Sequence, residues 1–172
     1  MKRLINLFVD ICLLRAGPQD LPVASFLVTL TLVLNLMTGT VVIVGHFSSV
    51  VPAVLAQLLD LLLLAFLVRL GLQYQRRSAR FTQAISALFG CGVLINLVAM
   101  PLQLMIGQDP RVSPMGGLGV LLYVVLVIWG MVVIAHILRH TFQIRFGNAM
   151  LLSIGYFMLI NWLVELIFPR SS

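Results

Sequence analysis

Residues 50–72 form an apolar run that carries one carboxylate, Asp60, near its middle and Arg69 near its end. About 20 helical residues rising ~1.5 Å each cover the ~30 Å hydrocarbon core of a bilayer, so this run reads as a membrane-crossing helix. An ionised side chain at its centre costs at least ~2.5 kcal/mol, which directs Asp60 toward other helices or a cavity and away from lipid. Four further runs, at 21–44, 84–106, 118–138 and 148–168, have the same character. The chain is 61% hydrophobic and 9% charged. A soluble domain carries ~25% charged residues, so the soluble classes are excluded. The fold class is all-α, a polytopic membrane protein with five transmembrane helices.

The segment before these spans is of another kind. MKRLINLFVDICLLR is broken by Asn6 and Asp10, and no small-x-small cleavage pattern follows, so it is not a signal peptide. At 100° per residue Lys2, Asn6 and Asp10 share a face, with Arg3 beside them, while Leu4, Phe8, Ile11 and Leu14 occupy the rest. An amphipathic helix lying in the interface fits this pattern. AGPQDLP then breaks it, because two prolines and a glycine do not continue a helix. Residues 1–20 are therefore read as an interfacial segment and 21–172 as the five-helix domain.

Charge sets the expected orientation. The amino-terminal segment and the loops after the second and fourth spans hold Lys2, Arg3, Arg15, Arg69, Arg76, Arg77, Arg80, Arg139 and Arg145, against Arg111 and Arg170 on the other side. Nine against two places the amino terminus in the cytoplasm and the carboxyl terminus in the periplasm of a bacterial inner membrane. Lys2, Arg3, Arg69, Arg76, Arg77 and Arg80 are read as contacts to lipid headgroups. The net charge of +6 does not point to nucleic acid, because the basic residues sit in turns between apolar runs.

The candidate site is built from polar side chains inside the spans. Counted from the basic ends, Asn35, Asp60 and Asn96 fall at similar depth near the middle, and are expected to hydrogen-bond to one another. Asp60 shares a helical face with Ala53, Ala56, Gln57, Leu64 and Gly71, and Gly92, Asn96 and Gln103 share another. The intramembrane cluster is thus Asn35, Gln57, Asp60, Asn96 and Gln103, with Asn161 and Glu165 as a second polar face. Ser86 and Gly90 form a small-xxx-small pair, Gly116, Gly117, Gly119 and Gly130 mark the fourth span, and Pro101 is expected to kink the third.

Other constellations are weaker. His136 and His140 are spaced i, i+4 but lack the carboxylate of an HExxH motif, so no metal is expected. His46 and Ser48 share a loop without an orienting acid, and GGLG at Gly116 follows no strand. Cys12 and Cys91 are far apart in sequence and are not expected to form a structural disulfide. Tyr123, Tyr156 and Trp162 read as packing or interfacial anchors. No cofactor is implied.

The segments Ala16-Gly17-Pro18-Gln19-Asp20-Leu21-Pro22 and Arg80-Phe81-Thr82-Gln83-Ala84-Ile85-Ser86-Ala87-Leu88-Phe89-Gly90, within a five-span layout, are similar to the Yip1-like integral membrane proteins, in particular small bacterial members. Arg15-Ala16 stands where eukaryotic members have an acidic-aromatic signature, so the resemblance does not extend to vesicle traffic. It implies a non-enzymatic adaptor, scaffold or accessory subunit that touches lipids, other membrane proteins or its own copies. The alternative is a small transporter or channel component that uses Asp60.

Overall fold

The computed structural model describes residues 2–47, 49–107 and 115–168, without the side chains of Lys2 and His46. Ser48, Arg111 and Arg170 of the sequence reading lie outside the described residues. Six α-helices follow one another: α1 (Lys2–Cys12), α2 (Ser25–Ile43), α3 (Val50–Tyr74), α4 (Phe81–Ile106), α5 (Gly116–Phe142) and α6 (Phe146–Ile167). Short 3-10 turns at Pro18–Asp20, Val44–His46 and Ser78–Arg80 join them, and there is no strand among the described residues. The helices α2 to α6 are each long and apolar enough to cross a membrane.

The span α4 is the centre of the bundle. Every residue from Ala84 to Cys91 is buried, and α4 packs against α1, α2, α3 and α5. The α2 face turned inward is an i, i+4 stripe of Leu27, Thr31, Asn35 and Gly39. Thr31 hides its hydroxyl by donating back to the Leu27 carbonyl at 2.8 Å. In contrast, α3 touches α5 and α6 only sparsely. That gap contains the candidate site.

Chain ends are set by local chemistry. Pro22 has no N–H to give a helix, and Leu21 is extended at ψ 144°, so α2 starts only at Ser25. Two helices close with Schellman geometry on a residue other than glycine. At the end of α1, Leu14 is left-handed (φ 62°) and the Arg15 N–H donates to the Asp10 carbonyl at 2.8 Å. At the end of α3, Arg76 is left-handed (φ 56°) and the Arg77 N–H donates to the Leu72 carbonyl at 2.8 Å. The span α4 continues through Pro101 to Ile106 and stops at Gly107, whose φ is 65°. Pro101 is exposed on the helix surface.

The amphipathic helix α1 packs against the bundle by one face. Phe8 and Ile11 are buried against the bundle, whereas Ile5, Val9 and Leu13 form an exposed apolar stripe and Arg3 and Asn6 an exposed polar one. The Phe8 ring occupies the space a Cβ on Gly90 would need. Gly90 lies nine residues beyond Phe81, so α1 meets α4 roughly 14 Å along its axis. Gly90 of the small-residue pair therefore admits the Phe8 ring of α1.

The Gly-Pro element is clamped beside it. The Gly17 N–H donates to the Asp20 carboxylate at 2.8 Å, closing the 3-10 turn. The Gln83 amide donates to the Gln19 and Leu21 carbonyls at 3.1 and 2.7 Å, and the His136 Nε2 lies 3.0 Å from the Ala16 carbonyl. These contacts tie the turn to both α4 and α5.

Docking also brings the two cysteines together, which their sequence separation hides. Both are free thiols; the Cys91 thiol donates to the Phe8 carbonyl of α1 at 3.9 Å, and Cys12 lies close enough to Cys91 for the two to interact. Mild oxidation of the purified protein is therefore expected to give an intramolecular Cys12–Cys91 disulfide. Non-reducing mass spectrometry after digestion reads it directly. If only intermolecular or no cross-links form, α1 does not sit where it is described.

Candidate functional site

The polar side chains of the spans form two groups. Asn35, buried on α2, is the hub of the first. Its amide donates to the Phe89 carbonyl of α4 at 2.9 Å, and its carbonyl accepts from Gln57 of α3 at 3.3 Å and Asn96 of α4 at 3.2 Å. The Asn96 amide also reaches the Thr38 hydroxyl at 3.3 Å. Glycines make the room. A Cβ on Gly39 would collide with the Gln57 amide, and one on Gly92 with the Asn35 amide. Three spans are thus pinned by amides that would otherwise be unpaired in an apolar setting.

Asp60 belongs to the second group, and here the sequence expectation is corrected. The carboxylate is not bonded to Asn35 or Asn96. It accepts from the Tyr156 hydroxyl of α6, which also reaches the Asp60 backbone carbonyl at 2.9 Å. The cause is rotational. On α3 the inward stripe runs through Ala53, Ala56, Gln57, Leu61 and Leu64. Gln57 points at α2, while Asp60 lies at the stripe's edge, turned to α6.

Tyr156, expected from the sequence as a packing or interfacial anchor, is the residue that holds Asp60. The signal was its depth, since it lies ten residues beyond Phe146 and so close to mid-span. Gln103 does not join either group. It is seven residues beyond Asn96, roughly 10 Å along α4, and no hydrogen bond from it reaches the cluster. On α6 both Asn161 and Glu165 are exposed, and the Asn161 amide donates to the Phe157 carbonyl of its own helix at 2.8 Å.

Two cavities meet at Asp60. One, of about 280 Å³, reaches inward past Asn35, Gln57 and Asn96 to Tyr156. The other, of about 380 Å³, extends toward the far end of the bundle past Phe47, Asn161 and Val164. Gln57, Asp60, Tyr123 and Phe157 line both. No lysine, arginine or histidine is among the residues lining either cavity, so the carboxylate faces space with a phenol as its partner. A third cavity of about 300 Å³ continues from Leu64 and Tyr156 to Tyr74 and Phe142 at the opposite end, with almost wholly apolar walls.

The basic residues gather at that opposite end. The Arg77 guanidinium donates to Gln143 at 2.6 Å and that of Arg80 to the His140 carbonyl at 3.4 Å. Arg69 lies over the Phe81 ring at 5.8 Å and does not bond to Asp60. Arg3 and Arg76 are exposed, and the Lys2 side chain is outside the described residues. His136 and His140 pack edge to face at 4.6 Å, and His136 is engaged with the Gly-Pro turn. Among the described residues no three His, Cys, Asp or Glu side chains gather as a metal-binding group.

Five apolar spans around a partly polar interior define a multi-pass α-helical membrane protein. No family model, curated protein or solved structure matches the chain.

Proposed function

We propose that this is a non-enzymatic protein of the bacterial inner membrane that works as a small transporter or channel component, holding a solute or ion at Asp60. One observation carries the reading: the two cavities that meet at a mid-span carboxylate with no basic side chain among their lining residues. A carboxylate kept at that depth is expensive, and such groups mark binding sites and pathways. The charge bias puts the amino terminus and the basic end in the cytoplasm, so the larger cavity opens toward the periplasm.

The adaptor reading retains its own support. The span α6 is the least covered of the five, which leaves a long apolar surface for lateral contact with another membrane protein or a second copy. The exposed Arg3, Arg69, Arg76 and Arg80 suit anionic headgroups at the cytoplasmic face. The likeness to Yip1-like proteins belongs with this second reading.

Aqueous access separates the two. In a background with Cys12 and Cys91 replaced by alanine, Asp60→Cys is expected to react with a membrane-impermeant thiol reagent added from the periplasmic side. A folded variant that stays unlabelled from both sides would remove the transport reading and leave the adaptor.

A further inference from the structure

The proposed use of Asp60 leaves its ligand open among protons, metal ions and larger solutes. We infer that the chamber is built for a singly charged organic cation with apolar substituents, an inference that rests on the binding reading above. The charge would come from Asp60, the one carboxyl side chain among the residues lining the two cavities. With no basic side chain on these walls, an anion would meet only repulsion from it, and a zwitterion would have no partner for its negative end.

The walls argue against a bare metal ion. Calcium or magnesium asks for six or more oxygens at ~2.0–2.6 Å, and one carboxylate does not approach that number. The nearest amide hub is already committed: the Asn35 carbonyl takes two donors, and its amide donates to Phe89. The space is also too large. Cavities of about 280 and 380 Å³ that share walls suit a ligand of drug size, since such sites run from ~300 to ~1,000 Å³.

What surrounds the carboxylate is aromatic. Tyr123 and Phe157 line both cavities and Tyr156 the inner one, so three rings from α5 and α6 border the space Asp60 faces. Ring faces attract an ammonium or phosphonium centre, most strongly where water is excluded, and the remaining Leu, Ile and Val walls take its hydrocarbon groups. The Tyr156 hydroxyl donates to the Asp60 carboxylate and orients it.

Tetraphenylphosphonium is a suitable probe, and the full chain in detergent is the sample. Equilibrium binding is expected to saturate at one site per chain. Asp60→Asn should weaken it at least tenfold, whereas Asp60→Glu keeps the charge and most of the affinity. Phe157→Leu and Tyr123→Leu should each weaken it several-fold through loss of a ring. Thermal melting of each variant checks that it is folded. Absence of saturable binding, or equal binding by wild type and Asp60→Asn, overturns the inference. If Asp60→Cys is labelled from water but the phosphonium does not bind, the ligand class falls and the aqueous chamber stands. If position 60 is not reached either, both fall.

Discussion

Asn35→Leu is expected to lower the stability of the folded bundle by about 3 kcal/mol, from loss of hydrogen bonds and the unpaired donors left behind. One side chain of α2 is bonded to α3 through Gln57 and to α4 through both Asn96 and the Phe89 carbonyl. An intramembrane hydrogen bond contributes ~0.6 kcal/mol on average and up to ~1.7, so three of them supply only part of the effect. The rest comes from the Gln57 amide, whose only hydrogen bond among the described residues is to Asn35. A buried donor left alone costs ~1–3 kcal/mol. Asn96 is less affected, because it still has the Thr38 hydroxyl. Asn96→Leu and Gln57→Leu should therefore each cost about 1 kcal/mol, well under the hub. Unfolding in mixed micelles measures all three. Equal effects for Asn35→Leu and Asn96→Leu would mean that Asn35 is not the hub.

The contrast between Asn35 and Asp60 shows what the sequence could and could not say. Depth is countable, because each span must cross the same thickness, and counting placed Asn35 and Asn96 at one level where they do bond. A helical wheel put Gln57 and Asp60 on one face of α3, but a face is ~100° or more wide and the two diverge across it. Which neighbour each meets depends on how far α3 stands from α6. That distance is set by packing and leaves no periodic trace. Tyr156 had the right depth and went unnoticed because aromatic residues are so often anchors. Gln103 had the right face but lies two turns too far along α4.

Span positions were legible throughout, and the structure mainly lengthens them. The fourth run was read as 118–138, and α5 is Gly116–Phe142. Its last turn holds Arg139 and His140, polar residues that remain helical beyond the apolar limit. Hydropathy marks the hydrocarbon core, whereas the helix ends where its backbone turns, here at Gln143 with φ 54°. The docking of α1 was only half legible. A small pair at Ser86 and Gly90 announced a close approach, and Phe8 was on the apolar face of α1. Nothing in either pattern said that one fills the other.

The Phe8–Gly90 contact is open to a direct test. Gly90→Val should cost about 3 kcal/mol, the upper part of the range for overpacking a filled core. The new side chain starts from a Cβ position already occupied by the Phe8 ring. The backbone offers little relief, since Gly90 lies within eight consecutive buried residues of α4. Phe8→Ala alone should also destabilise, by about 3 kcal/mol, through the cavity it opens. Together the two changes should compensate, because valine at 90 grows into the space the ring has left. The double variant is expected to be more stable than the sum of its parts by at least ~1 kcal/mol, a coupling reserved for residues in contact. Cys12–Cys91 cross-linking follows the same logic. It should fail in Gly90→Val, where α1 is pushed off α4, and return in the double variant. Strict additivity, with cross-linking unchanged by Gly90→Val, would place Phe8 elsewhere and return α1 to the membrane surface as a free amphipathic helix.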